Sequence, residues 1–241
     1  MTGIQVLPLE GIPEIEEGSD LAALLQEAAA WAGGFQADDV LVVAQKAVSK
    51  AEGRVVRLED VEPSDAAREQ AGDDADPRQL EVILREAVRI VRSRPPLVIA
   101  ETRHGFVCAS AGVDASNAPG GGSVVLLPLD PDASARALHE RLGVAVIVSD
   151  SFGRPFRQGT TDVAIGVAGL TPLLDLRGKR DRVGYELQTT QIAVADEIAG
   201  AAELVMGKTD GIPAAIVRGL ELEGDGSARE LVMPPDRDLF R

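Results

Sequence analysis

The stretch SDSFGRPFRQGTTD (residues 149–162) carries the densest set of side chains that could do chemistry. It follows the apolar run VAVIV, so Asp150 and Ser151 should emerge at the carboxyl end of a strand, where open α/β sheets place their ligands. Oxygen atoms suit Mg²⁺ or Mn²⁺, and the guanidinium groups of Arg154 and Arg157 suit anionic oxygens. The stretch therefore indicates either a site for a metal ion and phosphates or a polar turn whose arginines pair with surface acids, and spacing alone does not separate the two.

A second loop, AGVDASNAPGGG (111–122), has a similar character. Asp114 and Asn117 stand three residues apart among glycines, able to point an acid and an amide at one ligand, although both residue types also stabilise ordinary turns. An aspartate follows an apolar strand here and again at Asp150. Two carboxylates that meet in space could hold a pair of divalent ions.

Two lysine-containing segments invite a phosphate-binding interpretation. The GKT triplet in VMGKTDG (205–211) looks like the end of a P-loop, but that motif needs a preceding strand and a glycine at the position of Ala202. The run before it, QIAVADEIAGAAELVMG, has helical character, so a P-loop is excluded. Lys46 and Lys50 in QKAVSKAEGR follow a predicted strand and could hold phosphate as point charges, or could simply be solvated.

The elements that must position these residues alternate along the chain in the manner of α/β units. The apolar patterns predict strands at 4–9, 39–45, 96–102, 105–112, 123–129 and 144–150, a strand-rich stretch at 163–176, and a last strand at 214–222. They predict helices at 19–34, 78–92, 133–143 and 188–206. The acidic segment 59–77 is expected to be a solvated, partly helical excursion.

Composition narrows the classes of function. The net charge of −15 opposes binding to nucleic acid or to an anionic membrane, so an anionic substrate needs a local reversal of sign, for which DLRGKRDR (175–182) is an obvious candidate. Cys108 is the only cysteine, so neither an intrachain disulfide nor an all-cysteine metal site can form. The chain shows neither an ordinary signal peptide nor an apolar run of membrane-spanning length, and we predict a cytoplasmic protein.

Several motifs together resemble one family. VSKAEGR, ETRHGFVCASAGVDASN, SDSFGRPFRQGTTDVAIGVAGL, LLDLRGKRD and VADEIAGAAELVMGKTDGIP resemble, in order, the coenzyme F420-0:L-glutamate ligases, also called F420 gamma-glutamyl ligases. The resemblance implies an α+β, two-lobed fold peculiar to this family, forming an intertwined homodimer. It covers residues 1–241 as a single ligase domain, without the C-terminal flavin-reductase-like domain of some bacterial members.

The resemblance also implies an activity: GTP-dependent addition of L-glutamate to the terminal carboxylate of coenzyme F420-0. Mn²⁺ or Mg²⁺, two ions in each site, would be required, and K⁺ would stimulate the reaction. Transfer of the γ-phosphoryl group would give an acyl phosphate that the glutamate amine attacks, so the protein would mainly align its substrates and neutralise charge. The alternatives left open are a protein that only binds the deazaflavin or a nucleotide, and a related ligase acting on a different carboxylate.

Site residues follow from the resemblance by matching position. The metal ions would be held by Asp114, Asp150 and Ser151, with Gln191 as a weaker candidate. The nucleotide would be contacted by Asn117, Gln45 and Lys50 and by the segment Ile12, Pro13, Glu14 and Ile15. Asp114 and Asp150 would also serve catalysis, and residue type and placement suggest Arg154 as a group that orients an anionic substrate.

Overall fold

The structure is a computed structural model and describes residues 3–239. The helices within that range are α1 (Leu21–Trp31), α2 (Gln45–Ala51), α3 (Asp65–Ala71), α4 (Pro77–Glu86), α5 (Pro131–Leu142) and α6 (Val194–Met206). The strands are β1 (Gln5–Pro8), β2 (Val40–Ala44), β3 (Val55–Arg57), β4 (Ala87–Arg94), β5 (Leu97–Thr102), β6 (Val107–Ala109), β7 (Ser123–Val125), β8 (Ala145–Gly153), β9 (Thr160–Ala168), β10 (Leu174–Asp175), β11 (Gln191–Ile192) and β12 (Ala214–Arg218).

A five-stranded sheet in the order β1-β12-β2-β8-β9 organises the fold. β2 and β8 run parallel, and their register ends where Ala44 lies opposite Ser149. At Gln45 the chain leaves β2 and enters α2, whereas β8 continues to Gly153 as the first arm of a hairpin with β9. The last residues of β8 therefore extend beyond β2 and lie beside the start of α2.

Three apolar cores hold these elements. One face of the sheet packs on α1, α2 and α5, and the other packs on α6 and on the segment that follows β12. Side chains alternate along β8, because Val146 and Val148 enter the first core while Ile147 enters the second. A third core joins α3 and α4 to β5 and β7. Smaller sheets β4-β5-β6, β3-β7 and β10-β11 complete the architecture.

The predicted mixture of helices and strands, an α+β class, is confirmed. The segment 59–77 is partly helical as expected, and Ala67 and Ala71 of α3 are buried in the third core, so it is less solvated than predicted. The two-lobed shape and the intertwined homodimer stay predictions. None of the helices within residues 3–239 is both long and apolar enough to cross a membrane.

Three local predictions are wrong. The helix predicted over 78–92 ends at Glu86, and the chain continues as β4, because its backbone pairs with β5 and that pairing overrides the helical pattern. The helix predicted from residue 188 begins only at Val194. The polar stretch after VAVIV is a hairpin rather than a turn, so Asp150 and Ser151 lie within a strand and not beyond its end.

Candidate active site

A cavity of about 640 Å³ lies over the carboxyl end of β2. Its walls come from residues 12–15, 44–47 and 50, from the glycine-rich loop at 117–120, from β8 at 149–151, from Asp162 of β9 and Glu203 of α6, and from residues 206–209 and 211–213. Because β8 extends beyond β2, side chains from both faces of β8 reach this space. Asp150 lies on the face of the first core, and Ser149 and Ser151 lie on the opposite face.

Asp162 holds the two serine side chains of β8. It lies opposite Ser151 in the hairpin, and its Oδ1 accepts from Ser151 Oγ at 2.5 Å while its Oδ2 accepts from Ser149 Oγ at 2.9 Å. The backbone N–H of Asp162 donates to Glu203 Oε2 on α6 at 3.1 Å. A hydroxyl whose proton is donated in this way presents only its lone pairs to other groups. Ser151 is thereby prepared to accept from a donor or to coordinate a cation.

Asp150 is the cavity residue whose pKa is shifted furthest from its ordinary value. The residue keeps some surface towards the cavity, but protein surrounds the carboxylate elsewhere, and this burial raises the pKa of Asp150 to about 7. The negative charge of Asp162 acts in the same direction, whereas the backbone N–H of Ser151 and the positive charges of Lys208 and Lys46 oppose it. The Asp150 carboxylate is thus close to cations but still short of compensating positive charge.

Asp114 does not line the cavity itself but lies directly behind Lys46, which does. Lys46 Nζ donates to Asp114 Oδ2 at 2.6 Å, to the backbone oxygen of Ser116 at 2.8 Å and to Ser116 Oγ at 2.6 Å. The backbone N–H of Ser116 donates to Asp114 Oδ1 at 2.7 Å. Burial alone would raise the pKa of Asp114, but the hydrogen bonds from Lys46 and Ser116 together hold that pKa below its ordinary value.

The first residues of α2 supply polar groups to the cavity floor. Gln45 is 2% exposed, and its Oε1 accepts from Ser49 Oγ at 2.9 Å. Its Nε2 is buried and has no hydrogen-bond partner among residues 3–239. Lys50 reaches across to Glu14 Oε1 at 2.5 Å and so connects α2 to the segment after β1. A buried donor without an acceptor is costly, which favours a ligand that supplies the acceptor.

The glycine-rich loop and the GKT triplet face each other across the cavity. Asn117 has a left-handed backbone with φ of +53°, and its Nδ2 donates to the backbone oxygen of Lys208 at 3.3 Å. The triplet lies between the end of α6 at Met206 and the start of β12, which confirms that it is not a P-loop. Its residues Gly207, Lys208 and Thr209 nevertheless form part of the cavity wall.

The predicted site residues therefore divide into two groups. Residues 12–15, Gln45, Lys50, Asn117, Asp150 and Ser151 meet at one cavity, with Asp114 behind it. Arg154 lies in the hairpin loop, where it donates to the backbone oxygens of Gln158 and Gly159, and Gln191 pairs with Asp175 in the β10-β11 ribbon. Neither of these two lines the cavity, and their roles stay predictions, as do the roles of all the residues that meet there.

Two features of the cavity escaped the sequence analysis. Asp162 ends the motif SDSFGRPFRQGTTD, but its contact with Ser151 depends on the hairpin that the sequence did not reveal. The chain contains only four lysines beside twenty arginines, and three of those four, Lys46, Lys50 and Lys208, line the cavity. That rarity was a visible signal. Within residues 3–239, no group of three or more His, Cys, Asp and Glu side chains forms a ready metal centre.

The single cysteine offers no nucleophile. Burial raises the pKa of the Cys108 thiol to about 12, and the negative charge of nearby Asp150 acts in the same direction. A thiol with such a pKa remains neutral near pH 7, so it packs as a small apolar side chain. Any chemistry in the cavity therefore falls to its carboxylates, hydroxyls, amides and lysines.

Cations, carboxylates and a buried free amide donor around one concave space define a class of site, one suited to an enzyme whose ligand is anionic. Comparison with known proteins specifies the family. Residues 11–219 match the family model described as F420-0:Gamma-glutamyl ligase. The chain therefore belongs to the F420-0:gamma-glutamyl ligase family, a family of ligase enzymes.

Relatives match along the whole chain. A protein of Methanopyrus kandleri named coenzyme F420:L-glutamate ligase is 48% identical, with 100% of both chains covered. A protein of the same name from Methanothermobacter thermautotrophicus is 46% identical over 99% of both chains. One from Archaeoglobus fulgidus, also so named, is 42% identical over 99% of this chain and 96% of its own.

Proposed function

We propose that this protein is a coenzyme F420:L-glutamate ligase, as its relatives are named, that the acceptor is the terminal carboxylate of coenzyme F420-0, and that the reaction uses GTP. The products would be gamma-glutamyl F420, GDP and phosphate. One observation carries the proposal: three of the four lysines of a chain with a net charge of −15 surround a cavity whose floor holds a raised-pKa carboxylate. The lysines stand among four carboxylates that also line the cavity, those of Glu14, Asp150, Asp162 and Glu203, so divalent cations would be needed beside the lysines for a polyanionic nucleotide and an anionic acceptor to bind together.

The nucleotide would lie between α2, the segment 12–15 and the glycine-rich loop. Lys50 and Lys208 would hold phosphate oxygens, and Gln45 Nε2, buried without an acceptor among the described residues, would find one on the ligand. Asn117 would keep the glycine-rich loop against the GKT triplet through its bond to Lys208. Local lysines would thus replace the continuous ring of backbone amides that a P-loop supplies.

The residues present fit a divalent cation. Asp150 lacks compensating positive charge, Ser151 presents lone pairs because its proton is donated to Asp162, and Asp114 lies behind Lys46. We propose that Asp150, Ser151 and Asp114 hold Mn²⁺ or Mg²⁺, two ions in each site, and that K⁺ stimulates the enzyme. When bound, the ions would neutralise phosphate oxygens and polarise the γ-phosphoryl group. A cytoplasmic location stays a prediction.

The chemistry would proceed in two steps that this cavity must align. A carboxylate oxygen of F420-0 attacks the γ-phosphorus, and GDP leaves with the electrons of the broken P–O bond. The glutamate amine, once its ammonium form has lost a proton to solvent, attacks the acyl carbon, and phosphate leaves with the electrons of the broken C–O bond and takes up the second proton of the nitrogen. The lysines hold the phosphates in line, and the enclosed space limits hydrolysis of the acyl phosphate by water.

We also propose that the active form is a homodimer. Large apolar side chains lie exposed on β4 and on the segment between β10 and β11, among them Val88, Val183 and Tyr185, which are 67%, 78% and 64% exposed. Contact with a second copy would bury them. Light scattering coupled to size-exclusion chromatography should give twice the chain mass of 25.3 kDa, and a monomer at micromolar concentration would contradict this.

Mass spectrometry tests the activity directly. F420-0 incubated with the protein, L-glutamate, GTP and Mn²⁺ should gain one glutamyl residue, and omission of GTP or addition of EDTA should abolish the gain. Parallel reactions with ATP, and with KCl replaced by NaCl, test the nucleotide and the monovalent ion. Folded protein that binds GTP and Mn²⁺ but adds no glutamate would overturn the proposed substrate.

A further inference from the structure

Lys46 occupies an unexpected position for a residue of a metal-dependent site. Its ammonium group has three hydrogens, and all three are donated to a single place, one to Asp114 Oδ2 and two to oxygens of Ser116. The side chain is only 16% exposed, yet it lines the cavity. The cation therefore rests on the carboxylate that the proposed function gives to a metal ion.

The two cations cannot share Asp114 in this arrangement. Lys46 Nζ lies 2.6 Å from Oδ2. A divalent ion bound to the same oxygen at about 2.1 Å would lie less than about 5 Å from the ammonium group, where like charges repel strongly. Asp114 would not need to move for the exchange, because the backbone N–H of Ser116 holds its other oxygen at 2.7 Å. The lysine, on a flexible four-carbon stem, is the partner that can leave.

We propose that Lys46 holds the place of the metal ion on Asp114 and moves to the phosphates of the nucleotide when that ion binds. The proposal rests on the proposed function, since it takes Asp114 as a metal ligand. In the loaded enzyme Lys46 becomes a catalytic residue that contacts the transferred phosphoryl group. In the empty enzyme it keeps a half-buried carboxylate neutralised.

The position of Lys46 supports this movement. It belongs to the first turn of α2, directly after Gln45, and it lines the cavity. Its charge is felt by Asp150 as well as by Asp114. A rotation about the side-chain bonds would carry the ammonium group from one carboxylate towards the space between the two.

A purely structural role makes the opposite prediction. If Lys46 only pins the loop 114–120 to α2, then removal of its charge loosens the loop and weakens the binding of metal to Asp114. If Lys46 competes with the metal, then removal of its charge strengthens that binding. The sign of the change in Mn²⁺ affinity thus separates the two roles without reference to turnover.

The test uses Lys46→Met, which keeps most of the length of the side chain and removes the charge. Isothermal titration of nucleotide-free protein with Mn²⁺ should show binding about tenfold tighter than in the wild type. The rate of GDP formation at saturating Mn²⁺ and GTP should fall about 100-fold or more, because the variant lacks a cation that contacts the phosphate. Unchanged or weaker Mn²⁺ binding would overturn the proposal.

Matched variants locate the effect. Lys179→Met removes the charge of the fourth lysine, which is exposed and does not line the cavity, so Mn²⁺ affinity should stay at the wild-type value. In a Lys46→Met, Asp114→Asn double variant the increase in Mn²⁺ affinity should disappear. If the Met variant folds poorly, Lys46→Gln, which can still hydrogen bond to Ser116, is titrated with Mn²⁺ in its place.

The two proposals fail separately. Wild-type protein that adds glutamate while Lys46→Met leaves Mn²⁺ binding unchanged overturns only the role of Lys46. Tighter Mn²⁺ binding in that variant, together with a wild type that does not act on F420-0, supports the exchange on Asp114 and overturns only the assigned substrate.

Discussion

Replacement of Asp150 by Asn tests two properties of this carboxylate separately. One is the stability lost because its charge is buried, and the other is its proposed use as a metal ligand. The pKa of Asp150 rises from 3.8 to about 7. A carboxyl group with a pKa of about 7 in the folded protein and 3.8 in the unfolded chain lowers the unfolding free energy above pH 7 by ~4 kcal/mol. Asp150 keeps some surface on the cavity, so water there screens part of this, and we expect about 2 kcal/mol.

The sign follows from proton linkage. Between its unfolded and folded pKa values, Asp150 is protonated in the folded protein and ionised in the unfolded chain. The stability of the metal-free wild type therefore falls as the pH rises from about 4 to about 7 and stays level above. Asn cannot ionise, so the variant lacks this loss. The Asn variant should be about 2 kcal/mol more stable at pH 8, and the difference should be about half as large at pH 5.5.

Urea titrations of metal-free protein at the two pH values measure these differences, provided that the slope with denaturant is unchanged. Mn²⁺ should stabilise the wild type more than the variant, and GTP-dependent glutamyl transfer by the variant should fall at least about 100-fold. Asp73→Asn, at an exposed position between α3 and α4, is the matched control and should change none of these quantities. A variant less stable than wild type at pH 8, or one with near wild-type turnover, would refute the reasoning.

Three further changes test other parts of the molecule. Asn117→Ala removes the bond to the backbone oxygen of Lys208, and calorimetry should show GTP binding weakened about tenfold. Gly207→Ala forces a side chain onto a backbone with φ of +59°, and thermal unfolding should show roughly 2 kcal/mol of lost stability. Arg218→Met leaves Asp39, which is 1% exposed, without its two-pronged partner, and urea titration should show a loss of about 3 kcal/mol.

Each of these has a contradicting result. Unchanged GTP affinity in the Asn117 variant would mean that the glycine-rich loop does not depend on the cross-cavity bond. Unchanged thermal stability would contradict the Gly207→Ala prediction, and Gly211→Ala, also at positive φ but with no atom within 4 Å of an added Cβ, is its control and should show a comparable loss from backbone strain alone. Arg218 belongs to β12 and lies beside the start of β2, whereas the cavity lies at the other end of β2. Loss of glutamyl transfer in folded Arg218→Met protein would therefore contradict the placement of the site.

The sequence predicted what depends on local pattern. The apolar run VAVIV is the strand that carries Asp150 and Ser151 past the paired part of β2, and residues 12–15, the start of α2 and the glycine-rich loop meet at one cavity. The strands before these residues follow from local pattern, but the meeting of the residues depends on the parallel pairing of β2 with β8. The chemistry assigned to them came from a resemblance, and the structure adds their mutual geometry rather than their roles.

What escaped prediction depends on long-range register. The contact of Asp162 with Ser151 needs the β8–β9 hairpin, whose register shifts between Val148 and Ser149, and no local pattern encodes such a shift. The helix predicted across residue 87 failed for a related reason. The sequence there satisfies a helical period, and only the availability of β5 as a partner makes the strand preferable.

Lysine and arginine are distributed differently in this protein, and the difference concerns the cavity. Within residues 3–239, ten of the twelve ion pairs use arginine, whose rigid fork suits a fixed partner, as Arg218 shows with Asp39. The other two use Lys46 and Lys50, and both lie at the cavity. Lysine is a mobile point charge that can leave one anion for another. If Lys46 exchanges Asp114 for phosphate as proposed, the site needs that mobility, because an arginine at position 46 would hold Asp114 in a rigid two-pronged pair.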